Sequence, residues 1–214
     1  TTNAGTANLT IGTGGLSVDM SLAGGSAGFN IIGSSGTDTI KGTGKADTFT
    51  ISSSGHGNSD VYDGAAGADT LKLSSGSHVF SSDANFTNIE TVLTNASGST
   101  VNLTGQTEGF TITGGAGVDT ITGGAGNDII SGGVSADIIT GGAGDDQLTG
   151  GAGADTFNID SGSDTITDMS AADILVISAG ATVNGTISAN YTATGATTNA
   201  GTANLTIGTG GLSV

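Results

Sequence analysis

Residues 114–158 read GGAGVDTIT, GGAGNDIIS, GGVSADIIT, GGAGDDQLT, GGAGADTFN, five nine-residue units end to end. Glycines open each unit, an Asp holds the sixth place and an apolar residue the eighth. A six-residue Gly-rich turn plus a three-residue strand makes half a coil. Two halves make a coil of eighteen, and stacked coils make a parallel β-solenoid. The middle strand residue points inward, because side chains alternate across a strand. Its outward neighbours are often Thr or Ser, as in Thr120-Ile121-Thr122 and Ile139-Thr140. Glycine supplies the positive φ and close backbone approach that the turns need.

Followed in steps of nine, the inward position extends well beyond the obvious units. Leu22, Ile31, Ile40 and Phe49 form a first ladder within 19–49. A four-residue insertion over 52–58 breaks the phase. Tyr62, Leu71, Phe80 and Ile89 form a second ladder within 50–93. A five-residue slip over 94–99 breaks it again. Leu103, Ile112, Ile121, Ile130, Ile139, Leu148, Phe157, Ile166 and Leu175 then run without interruption through 100–176, the nonapeptide β-roll. The pattern predicts an all-β chain, a right-handed parallel β-solenoid continuous over 1–214. Residues 86–92 are the only stretch that fits a helical turn. Over 177–214 the nine-step weakens, yet Tyr191-Thr-Ala-Thr and Asn204-Leu-Thr-Ile-Gly alternate as strands do. These residues are expected to form metal-poor, Thr-rich coils, a Gly/Thr linker being the alternative.

Residues 1–18 and 197–214 are identical, letter for letter, at an offset of 196. This predicts a window of a tandem array with a 196-residue unit, and a first residue of Thr1 rather than Met fits a piece of a longer chain. Duplicated flanks of an engineered sequence are the other explanation.

Composition agrees with thin coils rather than a thick core. The chain has 41 Gly, no Pro, Cys or Trp, and 4% aromatic residues. Disorder is the general expectation for a Gly-rich chain of high charge, but here the apolar residues are periodic. The net charge is −16, from 17 Asp and 2 Glu against 3 Lys. Such a chain repels nucleic acid and anionic membrane surfaces and attracts hard divalent cations. Without Cys it has no disulfide to cross-link it. No apolar run approaches about 18 residues, so no membrane-inserting helix is expected, and no signal-peptide pattern occurs.

Asp119, Asp128, Asp137, Asp146, Asp155, Asp164 and Asp173 stand at strict nine-residue spacing. Residues eighteen apart fall on one edge of adjacent coils, about 4.8 Å apart. Asp119, Asp137, Asp155 and Asp173 therefore line one edge, and Asp128, Asp146 and Asp164 the other. Carboxylates stacked so closely repel each other unless some take up protons. A divalent cation between successive turns removes the repulsion. Calcium accepts six or more oxygens at about 2.3–2.6 Å in tolerant geometry, which carboxylates and turn carbonyls supply; magnesium demands a tighter shell. A single Gly-Asp pair would read as an ordinary turn, whereas seven in phase point to several Ca2+ ions. Asp38, Asp47, Asp60 and Asp69 precede Ile40, Phe49, Tyr62 and Leu71 by two places in the same way. They are further candidates for calcium, or turn residues that keep the edge solvated.

The nonapeptides resemble the RTX (repeats-in-toxin) β-roll family of secreted bacterial proteins. The resemblance implies calcium held between turns by the sixth-position Asp and by first- and third-position carbonyls. Those carbonyls belong here to Gly114, Ala116, Gly123, Ala125, Gly132, Val134, Gly141, Ala143, Gly150 and Ala152. It also implies type I export from a Gram-negative cell and folding outside it, where calcium is abundant. One unit departs, with Ser135 where Gly is usual, and its turn is expected to be strained. The units of Asp164 and Asp173 lack the double Gly and resemble the family's closing pattern. Residues 86–92 are similar to coils of RTX surface-layer and adhesin proteins.

No other chemistry stands out. His56 and His78 lack ligand-spaced partners and are expected as surface-loop residues. No activated nucleophile or acid–base carboxylate pair is evident, so no enzyme is expected. The Gly-rich turns lack a P-loop Lys. The outward seventh and ninth positions do not form the two-column Thr array that ice binding requires, and the Asn-x-Thr/Ser sequons carry no weight in an Asn- and Thr-rich chain. The chain is expected to be a calcium-dependent structural repeat of a long secreted protein, a fibre, surface layer or adhesin stalk at the cell surface. Its partners would be neighbouring copies of the repeat, in the same chain and in others. The alternative is the carboxy-terminal RTX module of a secreted enzyme or toxin.

Overall fold

A computed structural model describes residues 2–3, 7–52, 59–187 and 198–207. They form a parallel β-solenoid with almost no helix. One face is a sheet of eleven parallel strands, running from Ala7–Thr10 through Phe29–Ile32, Thr48–Ile51, Thr70–Leu73, Thr91–Leu93 and Thr111–Gly115 to Ile129–Val134, Gln147–Ala152, Ser163–Ile166, Thr182–Ile187 and Thr202–Ile207. We call this the long face. The opposite face is built in two parts. Ser17–Asp19, Thr39–Lys41, Val61–Asp63 and Phe86–Thr87 form the early part, and seven strands from Gly76–Val79 to Thr198–Asn199 form the late part.

The core is a set of columns along the solenoid axis. On the long face Leu9, Ile31, Phe49, Leu71, Val92, Ile112, Ile130, Leu148 and Ile166 pair coil to coil in register. From Ile31 to Ile166 this column is buried. Each such Ile, Leu or Val contributes about 1.5–3 kcal/mol by leaving water. The column ends on Gly185 and Leu205. Opposite it stand Val18, Ile40, Tyr62 and Phe86 early, then His78, Val101, Ile121, Ile139, Phe157 and Leu175 late.

The eighteen-residue coil holds from Ile112 to Ile166 on the long face and from Ile121 to Leu175 on the late face. Outside that region most coils are longer, although Ile31 also pairs with Phe49 at 18. Ile40 pairs with Tyr62 at 22 residues and Val92 with Ile112 at 20. The difference corrects several expectations. Leu22 is 97% exposed, and Val18 is the inward residue of its coil, because the pairing of Val18 with Ile40 spans 22 residues. Phe80, Ile89 and Leu103 are buried, but the in-register columns pass through Val92 and Val101 instead. Phe80 joins a stack with Phe86 and Phe110, at centroid distances of 5.0 and 5.3 Å, where the early opposite face gives way to the late one.

His78 is not a surface residue. It is fully buried opposite Val101, with Nε2 2.9 Å from the Ser74 carbonyl. The helical turn lies at Asp83–Asn85, as a 3-10 turn, while Phe86–Thr87 and Thr91–Leu93 are strands. Asn204 to Ile207 lie in the last strand, as the alternation predicts. His56 and the Tyr191-Thr-Ala-Thr segment lie outside the described residues. Among the described residues no helix is long and apolar enough to cross a membrane. Since Leu22 touches little, Leu22→Ser is expected to leave the urea midpoint in calcium unchanged within about 0.5 kcal/mol.

Candidate metal centre

Each turn of the late coils carries its aspartate inward along the sheet edge, and none of the seven is more than 5% exposed. One carboxylate oxygen has a fixed task. Oδ1 accepts the backbone N–H of the aspartate eighteen residues earlier: Asp119 donates to Asp137 at 2.8 Å, Asp128 to Asp146 at 2.8 Å, Asp137 to Asp155 at 2.9 Å, Asp146 to Asp164 at 3.1 Å and Asp155 to Asp173 at 2.9 Å. Phe110 and Ser99 donate to Asp128 and Asp119 in the same way, both at 2.7 Å. Two columns of carboxylates therefore run along the solenoid, each tied to the coil before it.

The other oxygen is a different matter. Oδ2 of Asp119, Asp137, Asp146 and Asp164 is buried without a hydrogen-bond partner. A buried carboxylate oxygen left so is costly, because the charge loses water and gains nothing. Those of Asp119, Asp137 and Asp146 lie beside the first glycine of their own units. A Cβ added to Gly114 would come within 2.9 Å of Asp119 Oδ2 and would overlap the Gly132 carbonyl oxygen. A Cβ on Gly132 would lie 2.5 Å from Asp137 Oδ2 and 2.8 Å from the Gly150 carbonyl oxygen. Gly123 is crowded likewise by Asp128 Oδ2 and the Gly141 carbonyl. The missing side chain keeps open a cradle bounded by the second carboxylate oxygen, orphaned at Asp119 and Asp137 and taken by the Gly124 N–H at Asp128, and by a first-position carbonyl of the next coil. Hard oxygens of that kind fit calcium.

Three or more His, Cys, Asp or Glu side chains do not cluster anywhere among the described residues. The arrangement is thus a ladder of carboxylates supplemented by main-chain carbonyls. Of the carbonyls named above, those of Gly132, Gly141 and Gly150 border the cradles. Third-position Ala116 and Ala152 carbonyls are engaged by Ser135, through its hydroxyl at 2.9 Å and its N–H at 2.7 Å. Ser135 itself has φ of 98°, the strained turn expected of a residue replacing Gly. At the closing end, Asp173 Oδ2 takes the Ser170 N–H at 2.6 Å, so the ladder is capped there by protein.

The earlier aspartates share the Oδ1 pattern. Leu16 donates to Asp38, Phe29 to Asp47, Asp38 to Asp60 and Asp47 to Asp69, at 2.6–3.0 Å. Their second oxygens differ. Asp38 Oδ2 takes the N–H and hydroxyl of Ser34, Asp47 Oδ2 those of Thr43, and Asp60 Oδ2 the hydroxyl of Tyr62. Only Asp69 Oδ2 is left buried and unpartnered, as in the late coils. These hydroxyl partners escaped the sequence reading, although Ser34 and Thr43 stand where the late units have a second Gly. Asp160 and Asp168 were missed as well; they accept backbone N–H groups of Gly142, Gly150 and Gly151. So was Glu90, which accepts the Asp69 N–H at 2.7 Å.

Burial pushes the late carboxyls above their ordinary range: Asp164 to about 7, with the charge of Asp146 adding to it, and Asp128 to about 6. Burial also raises Asp69 to about 6, and Asp119, Asp137, Asp146 and Asp155 in direction. A carboxyl whose folded pKa lies above its unfolded one favours folding when protonated. That contribution is complete below pH 3.8 and is lost as pH rises through about 7. Metal-free chain is therefore expected to melt higher at pH 5 than at pH 8. Calcium should reverse this dependence, since metal binding requires the carboxylate form. Circular-dichroism melts of EDTA-dialysed and calcium-loaded chain at the two pH values check it.

The sequence model of the RTX calcium-binding nonapeptide repeat matches this chain in four copies, over residues 32–71, 111–139 and 131–166. No curated protein and no solved structure matched it.

Proposed function

From the premise that the chain carries RTX calcium-binding nonapeptide repeats and takes up several calcium ions, we propose that it is one calcium-stiffened unit of a long extracellular repeat protein, a fibre, surface layer or adhesin stalk. The ions are held between coils by Asp119, Asp128, Asp137, Asp146, Asp155, Asp164 and Asp173, with first-position carbonyls completing their shells. RTX repeats are typical of secreted proteins, and type I export to a calcium-rich exterior follows from that kinship.

The observation that carries the reading is the 196-residue recurrence, seen together with the strands it forms. The segment Ala-Asn-Leu-Thr occurs at Ala7–Thr10 and again within Thr202–Ile207, and both copies lie on the long face. The first pairs with Phe29–Ile32 on one side, the second with Thr182–Ile187 on the other. A single strand of this sequence can satisfy both neighbours at once. Asn204 takes the place of Asn8, so the amide contacts Asn204 to Asn184 at 3.1 Å and Asn30 to Asn8 at 2.9 Å join into one ladder. Leu205 takes the place of Leu9, and the inward register continues across the joint. The eleven strands make ten coil steps per unit, fewer than eighteen-residue coils would give, and advance the rod about 48 Å.

A protein of two consecutive 196-residue units tests this. Negative-stain electron microscopy in calcium should show one straight rod of doubled length, and chelator should collapse it. Two separable bodies in calcium would overturn the reading and favour an export module attached to some other activity. Lateral association of rods, through sheet edges or bridging calcium, would appear in the same images.

A further inference from the structure

We propose that hydroxyl groups replace calcium along the Asp38, Asp47 and Asp60 ladder, so that the coils over 29–52 and 59–63 hold their fold without the ion that the coils over 111–177 need. The contrast rests on the calcium reading of the late coils given above. In the late coils the second carboxylate oxygen is orphaned at Asp119, Asp137, Asp146 and Asp164. In the early coils the same oxygen is satisfied by protein at every step until Asp69.

The substitutions are local and legible. Second-position Gly115, Gly124, Gly133, Gly142 and Gly151 of the late units correspond to Ser34 and Thr43 here. Ser34 places its N–H 2.7 Å and its Oγ 3.1 Å from Asp38 Oδ2, and Thr43 its N–H 2.6 Å and its Oγ1 2.9 Å from Asp47 Oδ2. Each Asp and hydroxyl pair, four residues apart, closes its own turn. Charge-assisted bonds of this kind are the strong ones.

Tyr62 does the same from the core. It stands in an inward column between Ile40 and Phe86, braced edge-to-face by Phe49 at 6.0 Å. Its hydroxyl emerges at the edge and donates to Asp60 Oδ2 at 2.9 Å. A Cβ on Gly33 would meet Tyr62 Oη and Asp38 Oδ2 alike at 3.3 Å. The phenol therefore occupies the gap between the Asp38 and Asp60 coils, the counterpart of the open cradle beside Gly132. Burial, and then the charge of Asp60, hold that phenol protonated far above physiological pH, so it remains a donor. Residues 32–71 match the calcium-binding repeat in sequence, but the donors of three of their four turns are already spent on protein. The unit ending at Asp69 has Ala65 in the second place, no hydroxyl, and an unpartnered Oδ2, so the demand for calcium resumes there.

Hydrogen–deuterium exchange of the whole chain, read by mass spectrometry with calcium and with excess EDTA, tests the proposal. Peptides within 29–51 should exchange at rates within about threefold of each other in the two conditions, while peptides within 111–177 speed up by about a hundredfold or more. Loss of protection in both regions together overturns the proposal and leaves the calcium reading intact. Protection kept in both regions overturns the calcium reading. The double variant Ser34→Gly with Thr43→Gly should make 29–51 as sensitive to EDTA as 111–177 and raise the calcium bound per chain. A variant unprotected over 29–51 even in calcium, or one that ignores EDTA, overturns the replacement of one group by the other.

Discussion

Transfer into excess EDTA at pH 7.5 is expected to remove roughly two-fifths of the far-ultraviolet β-sheet signal, with the loss centred on the coils over 111–177. Five gaps separate successive aspartates on the two late edges, from Asp119 to Asp173 and from Asp128 to Asp164. An ion at a hundred times its dissociation constant stabilises the folded state by about 2.7 kcal/mol, so five such sites supply about 13 kcal/mol. That is comparable to the whole stability of a domain, about 5–15 kcal/mol. What remains in chelator is a stack of thin coils with orphaned carboxylate oxygens at Asp119, Asp137, Asp146 and Asp164. Titrating calcium back should restore the signal along a steep curve, because each coil supports its neighbours. Full β-structure in chelator would show that the late ladder is stable with its charges unscreened, and would sink the linkage of calcium to folding.

The second large effect is expected from one methyl group. Gly132→Ala places a carbon 2.5 Å from Asp137 Oδ2 and 2.8 Å from the Gly150 carbonyl oxygen, with Asp137 Cβ at 2.9 Å. Gly132 has no positive φ, so the cost is steric and not conformational. Overpacking of this kind costs about 1–3 kcal/mol, sometimes more, and here it also fills the cradle. Both a lower urea midpoint in calcium and weaker calcium binding are expected. Gly44→Ala is the control, since a Cβ there meets nothing within 4 Å; it should be neutral or slightly stabilising, by less than about 1 kcal/mol. Equal effects at the two glycines would mean that the cradle has no part in binding.

The late coils could be read from sequence because every force there repeats with one period. Ile112, Ile130 and Leu148 recur at eighteen, and so do Asp119, Asp137 and Asp155, and the structure stacks both sets in register. The early coils could be read only in part. Their insertions lengthen the coils to 22 residues without disturbing the strands, so a count in nines passes Val18 and arrives at the exposed Leu22. At the change of opposite face the chain makes an extra side, where Phe80 and Phe86 pack flat on each other and no nine-residue rule applies. His78 was misjudged for a related reason: a polar residue on an inward column looks like a loop until its Nε2 is seen against the Ser74 carbonyl. The hydroxyls of Ser34, Thr43 and Tyr62 were visible as letters, but their meaning depends on which carboxylate oxygen is left over, and that is a matter of three dimensions.

The Ala-Asn-Leu-Thr strand has a consequence for how such an array changes over generations. It sits at both margins of the long face in the same orientation. In the proposed array, unequal recombination that inserts or deletes a whole 196-residue unit leaves every joint chemically identical to the one it replaces. No new interface has to arise and none is orphaned. Rod length is then free to drift or respond to selection by copy number alone, while the packing inside each unit stays under separate constraint.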